Sequence, residues 1–270
     1  MHRRHAIALC LGAWTAAADD IPGAALLVNV RTKRVLSVHR REVAGRMLVP
    51  PGSAIKPFAI QALLEGGKLR ASDSFVCPRN LQIGGRQYNC SHPIPAAPFD
   101  ARTALAYSCN CFVAHFADRF APGELAAYLT RQGLTSSTGL LGADEATGRV
   151  QRTTTREAAQ LQAIGEADVL VTVAGMAMAY RRLAVDGPEV VRAGLEDAVE
   201  FGTAQQAAVK GVRVAGKTGS VRASDGSHIA WFCGFAPSRT PEVVVAVMLQ
   251  GSSGGADAAP VAARILAGRR

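Results

Sequence analysis

The chain has 270 residues, 49% of them hydrophobic, which is enough for a substantial core and excludes a disordered tail. Such a length fits one large domain or two small ones. Lys and Arg outnumber Asp and Glu by 30 to 21, a formal net charge of +9, but Arg is spread along the chain without an interleaved aromatic motif. The charge therefore does not indicate nucleic-acid binding, and attraction to anionic material of the cell envelope is the better interpretation.

The N-terminus has the three parts of an export signal. Residues 1–5 are basic, residues 6–14 form an apolar run too short to span a bilayer as a helix, and residues 16–18 are alanines suited to cleavage. A retained N-terminal segment is the alternative interpretation. We expect residues 1–18 to be a signal peptide whose removal leaves a domain of residues 19–270 in the periplasm or elsewhere in the extracytoplasmic envelope.

Export would place the cysteines where disulfides form. Cys77 and Cys90 flank a loop with two glycines at its centre, and a bridge there would contribute about 3 kcal/mol by constraining the unfolded chain. Cys109 and Cys111 are too close in sequence to bridge each other, and Cys233 lies in an apolar run. We predict a Cys77–Cys90 disulfide. Without a Cys-x-x-Cys pair or a group of histidines beside these cysteines, we expect no metal and no cofactor.

In chain order, the first predicted elements are two short strands, residues 24–30 and 35–38, joined by a polar turn. Pro50-Pro51-Gly52 ends the extended structure, and a buried helix follows that stops at Gly66-Gly67. Residues 72–99 are predicted to form a long irregular segment.

The middle of the chain is predicted to be helical. The expected helices span residues 101–107, 112–116, 124–129, 156–164, the segment between Thr172 and Gly187, and residues 195–209. Thr172 is the expected N-cap of the fifth of these, in which apolar residues recur along one face.

The end of the chain returns to strands, predicted at residues 211–216, 229–236 and 243–249, before a closing helix over residues 258–266. Two strands, many helices and three further strands favour an α/β (α+β) fold. We predict one antiparallel sheet of five strands flanked by helices, with an all-helical insert at about residues 67–205.

Ser53 and Lys56 form the first of three patterns that could carry chemistry. They are three residues apart at the predicted start of a helix, so they share one face. A serine hydroxyl is a weak nucleophile that needs a neighbouring base, and a lysine with a depressed pKa can be that base, whereas an arginine cannot. By itself this pair is more often an exposed helix start than a catalytic site.

The other two patterns follow later in the chain. Ser108 and Asn110 fall in the break between two predicted helices, where alone they would be a helix cap. Lys217, Thr218 and Gly219 stand at the end of a predicted apolar strand. There Lys217 and Thr218 would face a pocket beside the sheet, and the missing Cβ of Gly219 would let the backbone of a ligand approach.

Together these patterns make the sequence resemble the transpeptidase domain of penicillin-binding proteins, a family that also includes the serine β-lactamases. The resemblance covers nearly all of the chain after residue 18 and rests on S-x-x-K, S-x-N and K-T-G in the order of this set of motifs. Three further segments look like the same family: Ile164-Gly165-Glu166 leading to Thr172, Glu200-Phe201-Gly202-Thr203-Ala204, and Ala230 to Pro237.

The resemblance implies an exported serine acyltransferase, either a D,D-transpeptidase or a D,D-carboxypeptidase. Ser53 would attack a D-Ala-D-Ala stem peptide of peptidoglycan, or a β-lactam, and Lys56 would take the proton of Ser53. Ser108 would relay that proton to the leaving amine, and Asn110 would hold Lys56 or the substrate amide. Lys217 and Thr218 would bind the terminal carboxylate beside Gly219, and the backbone N–H groups of Ser53 and Ser220 would form the oxyanion hole.

The chain departs from the family pattern at two small residues, Cys109 in the second motif and Ser220 after the third. A serine β-lactamase is the alternative, although no Glu-x-x-Leu-Asn pattern supplies a deacylating carboxylate. A non-catalytic penicillin sensor or cell-wall scaffold is the second alternative. The expected partners are stem peptides, β-lactam antibiotics and a cell-wall synthesis protein that would supply the domains missing from what we expect to be a bare catalytic domain.

Overall fold

The computed structural model describes residues 23–223 and 225–268. The predicted signal peptide lies outside these residues. No helix of the described segments combines the length and the apolarity that crossing a membrane would require.

The described chain contains nine strands and nine α-helices. The strands are β1 (Gly23–Asn29), β2 (Val35–His39), β3 (Gln82–Ile83), β4 (Arg86–Gln87), β5 (Arg149–Val150), β6 (Val169–Leu170), β7 (Ala215–Arg222), β8 (His228–Ala236) and β9 (Val243–Gln250). The helices are α1 (Arg41–Arg46), α2 (Lys56–Glu65), α3 (Ala101–Ala106), α4 (Asn110–Ala117), α5 (Glu124–Arg131), α6 (Arg156–Ile164), α7 (Val173–Asp186), α8 (Glu189–Glu200) and α9 (Ala259–Ala267). Single turns of 3₁₀-helix lie at Gly52–Ile55 and Gln205–Ala207, and a π-helical turn lies at Gly254–Ala258.

The long strands form one antiparallel sheet in the order β2-β1-β9-β8-β7, which confirms the prediction that two N-terminal and three C-terminal strands pair. The insert between β2 and β7 is mainly helical, but it is not all-helical as predicted. It also contains two minimal antiparallel pairs, β3 with β4 and β5 with β6, each strand only two residues long.

Two predicted elements have other boundaries in the structure. The helix predicted at residues 195–209 begins earlier, at Glu189, directly after Pro188, where a missing N–H costs nothing, and ends at Glu200. The predicted strand at residues 211–216 is β7, which begins at Ala215 and continues to Arg222. Since β7 pairs with β8 along its whole length, its polar second half is held by the neighbouring strand despite weak intrinsic strand propensity.

Alternate residues of the sheet point into two separate core layers, as the period of a strand requires. In β1, Leu26 and Val28 join the layer beneath α7, while Ala25 and Leu27 join the layer beneath α9. Because both faces are covered, the free edge of the sheet at β7 is where a cleft can form. The 3₁₀ turn at Gly52–Ile55 packs against this strand.

Candidate active site

The first motif forms a tight helical turn that leads into α2. In the 3₁₀ turn, the backbone N–H of Lys56 donates to the carbonyl of Ser53, which places both side chains on one face. Pro57 lies in the first turn of α2, where its missing N–H is not needed. Ser53 is half-buried, whereas its neighbours from Pro51 to Phe58 are buried. The hydroxyl of Ser53 is therefore the group that this turn presents to a substrate.

Two buried side chains hold the turn from beneath the cleft. The Oη of Tyr180, on α7, donates to the carbonyl of Ala54 at 2.8 Å. The Nε1 of Trp231, on β8, donates to the carbonyl of Pro50 at 3.0 Å. The sheet and the central helix thus fix the backbone on both sides of Ser53.

Gly219 has a different role from the predicted one. A Cβ at this position would lie 2.5 Å from the carbonyl oxygen of Pro51 and 3.1 Å from the nitrogen of Ala54. The space left by the missing side chain is therefore occupied by the backbone of the turn that carries Ser53, which we call the nucleophile turn. This space is closed to a ligand, whereas the approach of a ligand backbone along the free edge of β7 stays a prediction.

Lys56 joins the first motif to the second. Its side chain is fully buried, and its Nζ donates to the carbonyl of Ser108 at 2.7 Å, to the Oγ of Ser108 at 3.3 Å and to the Oδ1 of Asn110. The structure therefore brings Lys56 together with Ser108, its predicted partner in proton transfer, and with Asn110, which was predicted to hold it.

The backbone between α3 and α4 is arranged to make these contacts. Ser108 has φ = 56°, in the left-handed region that a serine rarely adopts, and such strain concentrates at functional sites. Asn110 is held at both ends, since its Nδ2 also donates to the carbonyl of Tyr88 at 2.8 Å. The cap of α4 is Cys109, whose Sγ accepts from the backbone N–H of Phe112 at 3.3 Å. Because Cys109 caps the helix, the side chains of Ser108 and Asn110 are available to accept hydrogen bonds from the Nζ of Lys56.

Burial lowers the pKa of Lys56 from its ordinary value of 10.5 to about 8, because a charged amine loses its hydration there. The negative charge of Glu166 opposes the shift. Burial also lowers the pKa of Lys217 well below its ordinary value, and the positive charge of Lys56 lowers it further. Lys56 and Lys217 are both buried, and their positive charges repel each other. A negatively charged ligand between the first and third motifs would relieve this repulsion.

The third motif lies within β7 and not at its end. The Nζ of Lys217 donates to the carbonyl of Thr218 at 3.0 Å, and the hydroxyls of Thr218 and Thr203 lie 2.9 Å apart. Ser220 is exposed, and its Oγ accepts from the backbone N–H of Gly254 at 2.9 Å. A Cβ on Gly52 would come within 3.0 Å of the carbonyl oxygen of Ser220, so β7 passes directly beside the Ser53 turn.

Three features of the site lie outside the predicted site residues. Thr203 had been noted only as part of a segment, and its hydroxyl pairs with Thr218. Tyr107 and Phe201 form an aromatic pair with ring centroids 5.7 Å apart, next in sequence to Ser108 and near Thr203. The sequence offered one signal for this pair: Tyr107 directly precedes the second motif, and Phe201 directly precedes Gly202-Thr203.

Glu166 is the third feature. Burial raises the pKa of this half-buried carboxyl, while the positive charges of Lys56 and Arg86 oppose the rise. The preceding Gly165 lies against the nucleophile turn, since a Cβ there would be 2.0 Å from the carbonyl oxygen of Gly52. The segment Ile164-Gly165-Glu166, which resembles the family, therefore lies beside the site.

The predicted Cys77–Cys90 disulfide is not formed. The two sulfurs lie 3.8 Å apart, far from the roughly 2.05 Å of a bond, and both thiols are free. They are buried together with Cys109, Cys111 and His92. We expected no metal because these cysteines and His92 do not form a metal-binding pattern in the sequence. The fold nevertheless brings them together, so that argument no longer applies.

Known proteins share both the sequence pattern and the fold. A family model described as "Penicillin binding protein transpeptidase domain" matches residues 23–191 and 189–267. A "Probable peptidoglycan D,D-transpeptidase PenA" from Neisseria flavescens is 27% identical over 270 residues, which cover 86% of this chain and 66% of that protein. A protein of the same name from Neisseria meningitidis is 27% identical over 283 residues, which cover 88% and 47% respectively.

Among solved structures, the apo transpeptidase domain of Burkholderia pseudomallei penicillin-binding protein 3 superposes with a TM-score of 0.80 at 25% identity. The match covers 92% of this chain and 86% of that one. The chain spans about half to two thirds of the length of the two Neisseria relatives. The first two motifs meet at one buried lysine, and the family model covers almost the whole described chain, so this protein belongs to the penicillin-binding protein transpeptidase domain family.

Proposed function

We propose that this chain is a serine acyltransferase that acts on the D-Ala-D-Ala ends of peptidoglycan stem peptides and is acylated by β-lactams at Ser53. The observation that carries the proposal is the environment of Lys56. A fully buried amine with a pKa of about 8, one helical turn from a half-buried serine, is suited to act as a base near neutral pH.

The first half of the reaction transfers the acyl group to the enzyme. As the Oγ of Ser53 attacks the carbonyl carbon of the penultimate D-Ala, its proton passes to the neutral Nζ of Lys56. Ser108, whose Oγ lies 3.3 Å from that Nζ, takes this proton from Lys56 and passes its own to the nitrogen of the terminal D-Ala as the C–N bond breaks. Free D-Ala leaves, and Ser53 carries the peptide as an ester.

The third motif supplies recognition of the substrate. A terminal carboxylate bound by Lys217 and Thr218 would provide the negative charge that two buried lysines lack, and Thr203 would orient the hydroxyl of Thr218. We propose that the backbone N–H groups of Ser53 and Ser220 stabilise the oxyanion, a role in which one donor contributes about 3–4 kcal/mol. Tyr107 and Phe201 offer apolar contact to the stem peptide.

The second half of the reaction returns the acyl group to an acceptor. An amine of a neighbouring stem peptide gives a cross-link, and water gives a carboxypeptidase. The names of the Neisseria relatives support the transpeptidase. We also propose, from residues 1–18, that the protein works outside the cytoplasm with a cell-wall synthesis partner.

Mass spectrometry of the intact protein during incubation with a penicillin tests the proposal. We expect a persistent adduct of one penicillin per chain, lost in Ser53→Ala and retained in Ser136→Ala, an exposed loop serine. A short-lived adduct with turnover of nitrocefin would support the β-lactamase alternative. No adduct in folded protein would leave the sensor or scaffold alternative and overturn the proposal.

A further inference from the structure

Four ligand-forming side chains meet in one buried cluster beside the second motif. Cys77, Cys90, His92 and Cys109 are all buried, and their Sγ and imidazole nitrogen atoms lie within 4.8 Å of one another. Three of them come from the irregular segment between α2 and α3, and the fourth is the N-cap of α4. We call these four residues the thiol–imidazole cluster.

The spacing of the cluster fits a tetrahedral metal centre. Zinc binds thiolate sulfur at about 2.3 Å and imidazole nitrogen at about 2.0–2.1 Å, so the edges of its tetrahedron are about 3.8 Å between sulfurs and about 3.5 Å between sulfur and nitrogen. The Sγ of Cys90 lies 3.8 Å from those of Cys77 and Cys109, and the latter two lie 3.4 Å apart. The Nε2 of His92 lies 3.5 Å from the Sγ of Cys77.

The histidine is already oriented for coordination. Its Nδ1 lies 2.8 Å from the carbonyl oxygen of Pro93, to which it can donate a hydrogen bond. That bond leaves the lone pair of Nε2 pointing at the sulfurs. A hydrogen bond from the far ring nitrogen to a carbonyl is the usual support of a metal-bound histidine.

Backbone N–H groups are arranged to stabilise three thiolates. The Sγ of Cys77 accepts from the N–H of Arg79 at 3.3 Å, that of Cys90 from the N–H of Cys111 at 3.5 Å, and that of Cys109 from the N–H of Phe112 at 3.3 Å. Hydrogen bonds donated to a sulfur favour its charged form, which is the form that binds a metal.

Cys111 is a neighbour of the cluster and not a member of it. Its Sγ lies 3.5 Å from that of Cys90, but it donates to the carbonyl of Asn80 at 3.7 Å. A thiol whose hydrogen is directed at a carbonyl is poorly placed to be a thiolate ligand. This contrast makes Cys111 a matched control.

We propose that the thiol–imidazole cluster binds one Zn²⁺ as a closed Cys₃His site. Soft thiolates with one imidazole in tetrahedral geometry select zinc over hard cations, and four protein ligands make the site structural. Binding releases three thiol protons to solvent and forms three Zn–S bonds and one Zn–N bond, with no change in oxidation state.

The site would support the catalytic residues without touching the substrate. Cys109 stands between Ser108 and Asn110, and both of these contact the Nζ of Lys56. Tyr88, whose carbonyl holds Asn110, lies in the loop between Cys77 and Cys90. Zinc would thus tie this loop to the N-terminus of α4 and fix the geometry of the second motif.

The test is the metal content of protein purified without chelator, measured by inductively coupled plasma mass spectrometry. We expect one zinc per chain in the wild type, about tenfold less or lower in Cys77→Ser and His92→Ala, and a full equivalent in Cys111→Ser. Zinc below a tenth of an equivalent in the wild type, or equal loss in Cys111→Ser, would overturn the assignment.

A second measurement keeps the test valid if the ligand variants fail to fold. Wild-type protein stripped of metal and reconstituted with Co²⁺ should show sulfur-to-cobalt charge-transfer absorption at one equivalent, and added Zn²⁺ should abolish it. A loss of two mass units from a disulfide among these cysteines, with no cobalt absorption after reduction, would contradict the proposal. Ser53→Ala should keep its zinc, so failure of the proposed acyl transfer and failure of the metal site can be told apart.

Discussion

The base assignment predicts a steep loss of acylation when Lys56 becomes arginine. With a pKa of about 8, about one Lys56 side chain in ten is neutral at pH 7. At the ordinary value of 10.5 the neutral fraction would be about one in three thousand, so burial enriches the base about 300-fold, equivalent to about 3 kcal/mol. Burial disfavours the charged amine and lowers its pKa, and this lower pKa is what allows Lys56 to act as a base near neutral pH.

Arginine retains the positive charge but cannot give up its proton, since its pKa exceeds about 12. Its neutral fraction at pH 7 is below about one in 10⁵, so Lys56→Arg should slow acylation by about four orders of magnitude. Lys68→Arg is the matched control, because Lys68 pairs with Glu124 away from the site and a guanidinium can keep that ion pair.

The assay is the rate of labelling by a fluorescent penicillin, measured from about pH 6 to about pH 10. The wild-type rate should rise with pH and level off above about pH 8, because only neutral Lys56 takes the proton. Thermal melting must show that Lys56→Arg is folded. Labelling of folded Lys56→Arg at the wild-type rate, or a wild-type rate independent of pH, would refute the assignment.

Three further predictions concern neighbours of this base. Glu166→Gln removes a negative charge that raises the pKa of Lys56, so the midpoint of the acylation pH profile should move to lower pH, and an unmoved or raised midpoint would contradict it. Thr203→Val leaves the buried hydroxyl of Thr218 without its partner, and labelling at subsaturating penicillin should slow about tenfold while the saturating rate holds. Tyr180→Phe removes a buried hydrogen bond to the nucleophile turn and should lower the free energy of unfolding in urea by about 1–3 kcal/mol; an unchanged midpoint would argue against that role.

The sequence was most informative where one local rule determines the outcome. The i to i+3 spacing of Ser53 and Lys56 survives as a single helical turn, and Thr172 caps α7 as expected, with its Oγ1 accepting from Gly175 at 2.9 Å. The five strands could be assigned because their apolar runs are long and the sheet buries both faces.

Predictions were wrong where a distant partner decides the result. Gly219 looked like room for a ligand, and the backbone of Pro51 fills that room from more than 160 residues away in sequence. The strand that contains the third motif was predicted to end at Gly216, because the pairing with β8 that continues it to Arg222 is not visible in the local sequence. Cys77, Cys90 and Cys109 looked like a disulfide and a spare thiol because sequence spacing does not show that a loop folds back onto α4.

The two buried lysines also indicate how a bound carboxylate would change the charges around the base. Burial and the charge of Lys56 both disfavour the protonated form of Lys217 in the free protein. A bound carboxylate reverses that preference, because an opposite charge within a few ångströms favours the ammonium form. The charge acquired by Lys217 then acts on Lys56 and favours its neutral form, since the interaction between two titrating groups is mutual. The bound carboxylate itself favours the charged form of Lys56, so the two effects on the base oppose each other, and its own burial remains the main cause of its low pKa.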